Sequence, residues 1–202
     1  MTPEREAKFR HVIANRWADL TVVLENVNDP HNVYAVMRTC DAVGIQEVYV
    51  LNTDQRWDET IGKRSSAGMK NWVDVQYFEN LEDCVAVVKK KYGRILTTKL
   101  GESSTPLFDL DLTAPTALAF GNERHGISEA FAALSDGNFN IPQVGMAGSL
   151  NISVACAVSM YEAFRQRGSS NEKNDHLLPS DQAKILFERW QEKQRLKRHQ
   201  KP

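Results

Sequence analysis

Residues 20–51 read LTVVLENVNDPHNVYAVMRTCDAVGIQEVYVL, and three consecutive elements follow from them. Leu20 to Val27 is rich in β-branched and apolar residues, which predicts a strand. Asn28-Asp29-Pro30-His31-Asn32 is a turn cluster. Val33, Val36, Met37, Cys40 and Val43 then recur at helical spacing, and Gly44 supplies the left-handed position that closes a helix. Ile45 to Leu51 is a second strand. A strand, a helix and a strand with a short Gly-ended connection make a βαβ crossover, which implies parallel pairing. The predicted fold class is therefore α/β: a mostly parallel sheet with helices on both faces.

The pattern continues outward. Val73, Val75 and Tyr77 alternate as a strand. Leu81, Cys84, Val85 and Val88 mark a helix that ends in three lysines, well placed against the helix dipole, and Gly93. Ile95 to Thr98 is a short strand, and Pro115 to Phe120 a strongly apolar one suited to the centre of the sheet. Ser128 is placed to cap a helix over 128–134, and Phe139-Asn140-Ile141 is the last strand. In the other direction, Thr2-Pro3-Glu4 is a helix start, followed by Phe9, Val12, Ile13 and Trp17 on one face. Residues 168–180 read as a linker, and Ser180 as the cap of a final helix with Ile185, Leu186 and Trp190 on its apolar side.

Three loops stand at C-terminal ends of strands: 98–101, 121–126 and 141–149. Open α/β sheets bind ligands at that edge. None of the loops carries the Gly pattern of a dinucleotide site, and Trp57 stands where the first Gly of a phosphate-binding loop before Gly62-Lys63-Arg64-Ser65 would be. Lys63 and Arg64 are either a basic edge for phosphate or part of a solvated loop. The third loop leads through Ser149-Leu150-Asn151 into Val154, Ala155, Cys156, Ala157, Val158, Met160 and Tyr161, a helix expected to be buried on most sides. Ser149 and Asn151 are either its N-caps or parts of a site.

The formal charge of the 202-residue chain is −1, but it is unevenly spread. Residues 1–17 carry a net +2 and residues 182–202 a net +5, which leaves −8 for the middle. Basic ends on an acidic body are a footprint for a polyanion, or else two solvated helices. The side chains expected to meet such a partner are Arg10, Arg16, Lys63, Arg64, Arg124, Lys193, Arg195, Lys197 and Arg198. Cys40, Cys84 and Cys156 are widely spaced in apolar patterns, as reduced core thiols would be. With a charged N-terminus and no long apolar run, a cytoplasmic protein without a membrane or a metal is expected.

Three segments together carry a resemblance: HNVYAVMRTCDAVG (31–44), ALAFGNERHGIS (117–128) and IPQVGMAGSLNISVACAVSMYE (141–162). In order and spacing they resemble the SpoU/TrmH family of SPOUT methyltransferases across about residues 20–167. Tyr34 stands where a small residue is usual, a change expected to crowd the first motif. The resemblance implies S-adenosylmethionine as cofactor, a trefoil knot near the C-terminal end of the sheet, and a homodimer. It implies methyl transfer to a ribose 2′-hydroxyl of RNA. With both ends basic, the implied substrate is guanosine 18 in the D-loop of tRNA, with ribosomal RNA or another tRNA position as the alternative and a non-catalytic RNA-binding protein as a third reading.

By the same resemblance Arg38, Asn32, Glu123, Ser149 and Asn151 form the catalytic set, and the backbone at Thr98, Leu100, Gly121, Ile141 and Leu150 holds the cofactor. A guanidinium titrates above about 12, so Arg38 is expected to act as a cation that binds phosphate and polarises the hydroxyl. Glu123 then either accepts the proton, directly or through water, or serves as a carboxylate that orders the 121–126 backbone. Asn32 and Arg38 lie about 240° apart on an ideal helix, so they meet only if Asn32 projects from the preceding loop. The expected organisation is a basic N-terminal helix over 1–19, the methyltransferase domain over 20–167, and a linker with a basic C-terminal helix over 168–202.

Overall fold

A computed structural model describes residues 1–54, 69–99, 104–170 and 173–199, with backbone only at Met69, Lys173 and 197–199. Lys63, Arg64 and Leu100 lie outside the described residues, and the side chains of Lys197 and Arg198 are likewise not described. Within these bounds the chain runs α1 (Pro3–Ile13), β1 (Leu20–Glu25), α2 (Pro30–Val43), β2 (Glu47–Leu51), β3 (Asp74–Phe78), α3 (Leu81–Tyr92), β4 (Arg94–Thr98), β5 (Thr105–Pro106), β6 (Thr116–Phe120), α4 (Glu129–Leu134), β7 (Gly137–Asn140), α5 (Ile152–Ser169) and α6 (Ser180–His199). The described strands form one sheet in the order β3-β2-β1-β6-β4-β7-β5, with parallel pairing throughout.

The βαβ unit is as expected. Val22 pairs with Val48 and Glu25 with Leu51 in parallel register. α2 ends at Gly44 with φ +90°, and a Cβ there would lie 2.3 Å from the Asn15 carbonyl. Its N-cap is Asp29, whose side chain accepts from the His31 N–H, with Pro30 opening the helix. Asn32 is therefore in the first turn of α2 and not in the loop before it. Tyr34 is 4% exposed within the core, so it does not crowd the loop.

Every residue of β1 and β6 is buried, as central parallel strands covered on both faces must be. Because strand side chains alternate, Val22 and Leu24 join the core under α2 and α5, while Val23 and Ala119 join the one under α3 and α4. A third cluster joins the two ends of the chain: Phe9 and Ile13 of α1 pack against Leu186 and Trp190 of α6. Ile185 is 64% exposed and lies off that face, contrary to the sequence reading. The short strand β5 escaped it, because two residues carry no period.

Four further corrections concern buried or exposed groups. Arg16 is fully buried. It is paired with Asp41 at 2.5 Å, and its guanidinium donates to the carbonyls of Asp41, Ile45 and Trp72. It ties elements together and has no surface to offer RNA. Ser180 is the first residue of α6 rather than its cap. The segment before α6 is docked: Leu177 bridges to Trp17, and His176 lies 2.6 Å from Asp19, whose other oxygen pairs with the buried Arg167 at 2.5 Å. Finally, α5 is buried on one face only, through Ile152, Cys156, Met160 and Ala163. Val154, Tyr161 and Phe164 are 46, 52 and 42% exposed.

Candidate active site

The site is built where β4, β6 and β7 end side by side. A cavity of about 620 Å³ opens there, lined by Thr98, Gly121, Ile141, Ser149, Leu150 and Asn151 among others. All four described backbone positions expected to hold a cofactor thus share one pocket. Phe120, Phe139 and Ile152 give it apolar walls, and Lys99 pairs with Glu129 beside it at 2.5 Å.

The segment after β6 is tightly closed. Gly126 adopts φ +68°, and its N–H donates to the Asn122 carbonyl at 2.7 Å. A Cβ on Gly121 would fall 2.0 Å from the Gly126 carbonyl carbon and 2.2 Å from the Ile127 nitrogen, so only glycine fits there. The Asn122 side chain accepts from the Arg124 N–H at 2.7 Å. This closure leaves Glu123, Arg124 and His125 exposed on the turn, all three against the cavity.

Asn32 links Glu123 to the third motif. The Asn32 side-chain amide donates to Glu123 Oε1 at 2.5 Å. The Asn32 side-chain oxygen, Oδ1, accepts from the Asn151 side-chain amide at 3.2 Å. Asn151 is also the N-cap of α5, accepting from the Ser153 N–H at 2.9 Å and the Ser153 hydroxyl at 2.6 Å. Cap and site are therefore one residue. Ser149 lines the cavity but is not the cap.

Arg38 does not join this group. It is exposed on α2 and is not part of the cavity wall. Among the described residues no carboxylate pairs with it. The helical offset from Asn32 is real, because both residues are helical. Of the basic set, Arg124 lies at the cavity. Arg10 is exposed, pairs with Glu6 at 2.7 Å and lies over the Phe187 ring. Arg195 lines a separate concavity with Arg5, between α1 and α6, and Lys193 donates to the Asn71 carbonyl at 3.4 Å.

Asn26 and Asn122, whose side-chain amide donates to the Asn26 carbonyl at 2.9 Å beside the site, carry no periodic signal in the sequence. Neither belongs to an apolar period, and only the turn-forming Asn types gave a signal. The three cysteines take no part. Burial pushes the Cys40 and Cys156 thiols up, and Cys84 up to about 12, so none is a thiolate near neutral pH. Among the described residues no group of three or more His, Cys, Asp or Glu is arranged to hold a metal, and no helix is long and apolar enough to cross a membrane.

Fold and cavity define a parallel α/β domain with a cavity at the carboxyl edge of its central strands and amides and one carboxylate on the loops around it. The chain belongs to the SpoU rRNA Methylase family, whose model matches residues 19–161. It is 39% identical over 191 residues to the tRNA (guanosine(18)-2'-O)-methyltransferase of Escherichia coli (strain K12), covering 93% of this chain and 82% of that one. Among solved structures, the A. aeolicus TrmH/SpoU tRNA modifying enzyme superimposes with TM-score 0.79 at 32% identity, covering 93% of this chain and 94% of that one. The SpoU methyltransferase AviRb from Streptomyces viridochromogenes, solved with the cofactor AdoMet, gives TM-score 0.68 at 29% identity over 78% of this chain and 64% of that one.

Proposed function

We propose that this protein transfers a methyl group from S-adenosylmethionine to the ribose 2′-hydroxyl of guanosine 18 in the D-loop of tRNA. The observation that carries the reading is the link that Asn32 makes between Glu123 and Asn151, both of which line the cavity. The relatives give it direction, since the E. coli protein is a tRNA (guanosine(18)-2'-O)-methyltransferase.

The cavity fits the cofactor. Its size is that of a small-molecule pocket, and its aromatic and aliphatic walls suit a purine. The backbone at Thr98, Gly121, Ile141 and Leu150 would hold the cofactor, which supplies an already activated methyl group on a sulfonium. What remains for the protein is to orient the acceptor and to take its proton. Asn32 occupies Glu123 Oε1, and among the described residues Oε2 has no partner. Oε2 is the proton acceptor in this reading, either directly or through a water. Arg38, permanently charged, binds the neighbouring phosphate and polarises the hydroxyl. Since Arg38 stands outside its own chain's cavity, this role calls for a homodimer that brings the residue to a site. The exposed Val154, Tyr161 and Phe164 face of α5 supports such an association.

The wider reading includes a trefoil knot, supported by the placement of β7 between the earlier strands β4 and β5. It includes a cytoplasmic setting, supported by three buried free cysteines. It assigns catalysis to residues 20–167 and RNA capture to the helical ends. Incubation with labelled cofactor and tRNA carrying either guanosine or 2′-O-methylguanosine at position 18 tests it. Label should enter only the first tRNA, and equal labelling of both sinks the position. Because the family's description names rRNA, a ribosomal RNA arm belongs in the same assay, and preferential labelling there transfers the reading to rRNA.

A further inference from the structure

Asn26 is the one residue other than glycine with positive φ among those described, at +53°. Its hydrogen bonds explain the conformation. Its N–H donates to the Leu51 carbonyl at 2.8 Å, on the β2 side. Its carbonyl accepts from the Asn122 side chain at 2.9 Å, on the β6 side. In a regular strand the N–H and C=O of one residue serve the same neighbour. Serving both sides requires the peptide plane to turn, and Asn tolerates the left-handed conformation that turns it. The Asn26 side chain fixes the turn further by accepting from the Thr53 N–H at 2.8 Å and donating to the Thr53 hydroxyl at 3.0 Å.

The next residue back holds the other end of the same loop. Glu25, 3% exposed, accepts from the Ser128 N–H at 2.8 Å and its hydroxyl at 2.6 Å. Residues 25 and 26 thus grip positions 122 and 128, on either side of Glu123.

We infer that Asn26 is a positioning residue for the reaction: its left-handed backbone braces the 121–126 turn from below and sets Glu123 where Asn32, itself held by Asn151, meets it. The inference rests on the methyltransferase reading given above. It separates the backbone from the side chain. Glycine adopts positive φ freely and keeps the carbonyl bond to Asn122, whereas valine resists it.

The test uses the full-length protein and compares Asn26→Gly with Asn26→Val. The valine variant should lose about tenfold or more in kcat on tRNA, with cofactor Kd within about threefold, and the glycine variant should stay within about threefold of the parent in both. In a Glu123→Ala background Asn26→Val should cost less than about twofold, because the brace then has nothing to position. Independent effects of the two substitutions overturn the inference. Hydrogen exchange supplies a second readout: the Gly126 and Ser128 amides should exchange faster in the valine variant and at the parental rate in the glycine variant. Unchanged exchange in the valine variant overturns the inference whatever the activity. A parent that labels no RNA, with exchange responding as expected, overturns the reading of the reaction and leaves the brace. If Asn26→Val does not fold, Asn122→Ala removes the same bond from the other side and must show the same non-additivity with Glu123→Ala.

Discussion

The amide of Asn32 donates to the Glu123 carboxylate at 2.5 Å across 91 positions of sequence. One is in the first turn of the helix that follows β1 and the other in the glycine-closed turn that follows β6, the parallel strand beside it. The contact orders a carboxylate that faces a cavity and commits only one of its oxygens. A charge-assisted hydrogen bond of this kind contributes about 1.5–3 kcal/mol. Asn32→Ala should therefore lower kcat about 10- to 100-fold with little change in cofactor Kd. Asn32→Asp should lower it more, because two carboxylates then face each other. Single-turnover methyl transfer read beside equilibrium cofactor binding checks both, and a change confined to cofactor affinity would count against the assignment.

Arg38 stands outside the cavity of its own chain. Arg38→Ala should abolish transfer to tRNA while cofactor binding is retained, as measured by calorimetry. Mixing Arg38→Ala chains with Glu123→Ala chains should restore part of the activity if a dimer assembles sites from two copies. No recovery in preparations shown to contain mixed dimers would place both groups in one chain's site.

Gly121 has no room for a methyl group. Gly121→Ala should cost about 1–3 kcal/mol or more in stability, from overpacking against backbone that cannot move aside. It should also weaken cofactor binding, because the displaced 126–127 backbone forms part of the cavity wall. Urea titration and cofactor binding measured on the same preparation separate the two effects.

Arg16 and Arg195 should respond oppositely to charge changes. Arg16→Ala leaves Asp41 without its buried partner, an effect of about 3–5 kcal/mol on folding. Arg195→Glu, on the exposed rim, should leave stability unchanged within about 0.5 kcal/mol. It should weaken tRNA binding and reduce the salt slope by roughly one. Removing 182–202 altogether is a poorer experiment, because it uncovers Phe9 and Ile13 by taking away Leu186 and Trp190.

Glu47 gives the acid limb of stability. Its burial works against the charged form, but hydrogen bonds from Lys91, Tyr49 and Gln76 outweigh that and hold the carboxyl below its ordinary value near 4.5. A group whose pKa is depressed on folding stabilises above its unfolded value and loses that contribution as pH falls through the folded one. Glu47→Gln should therefore destabilise at neutral pH, and the difference from the parent should shrink below about pH 4.5. Chemical denaturation between neutral and acid pH measures it, and a constant difference across that range would place the effect in packing.

The crossover, the apolar central strand and the loops at the strand ends were legible because period and glycine placement are local signals. So were Thr98, Gly121, Ile141 and Leu150 as neighbours of one pocket, once the resemblance had been drawn. What the sequence hid is of another kind. Arg16 and Arg195 are the same residue type, each in a terminal segment of net positive charge, and only tertiary contacts with Asp41, Ile45 and Trp72 bury the first. Ile185 fits an apolar helical face as well as Leu186 does, until the position of Phe9 decides which is covered. Asn26 belongs to no period, and its role lies in its backbone.

The strand order has a consequence for how the chain is made. β1 emerges early and pairs with β2 at once, but its other neighbour, β6, begins with Leu20 against Thr116. During synthesis this fully buried strand therefore keeps one edge open until nearly a hundred further residues have left the ribosome. Asp19, just ahead of it, meets Arg167 only later still. Such non-local closure sets a slow folding step, and an unpaired apolar edge held open for so long is where misassembly of nascent chains would begin.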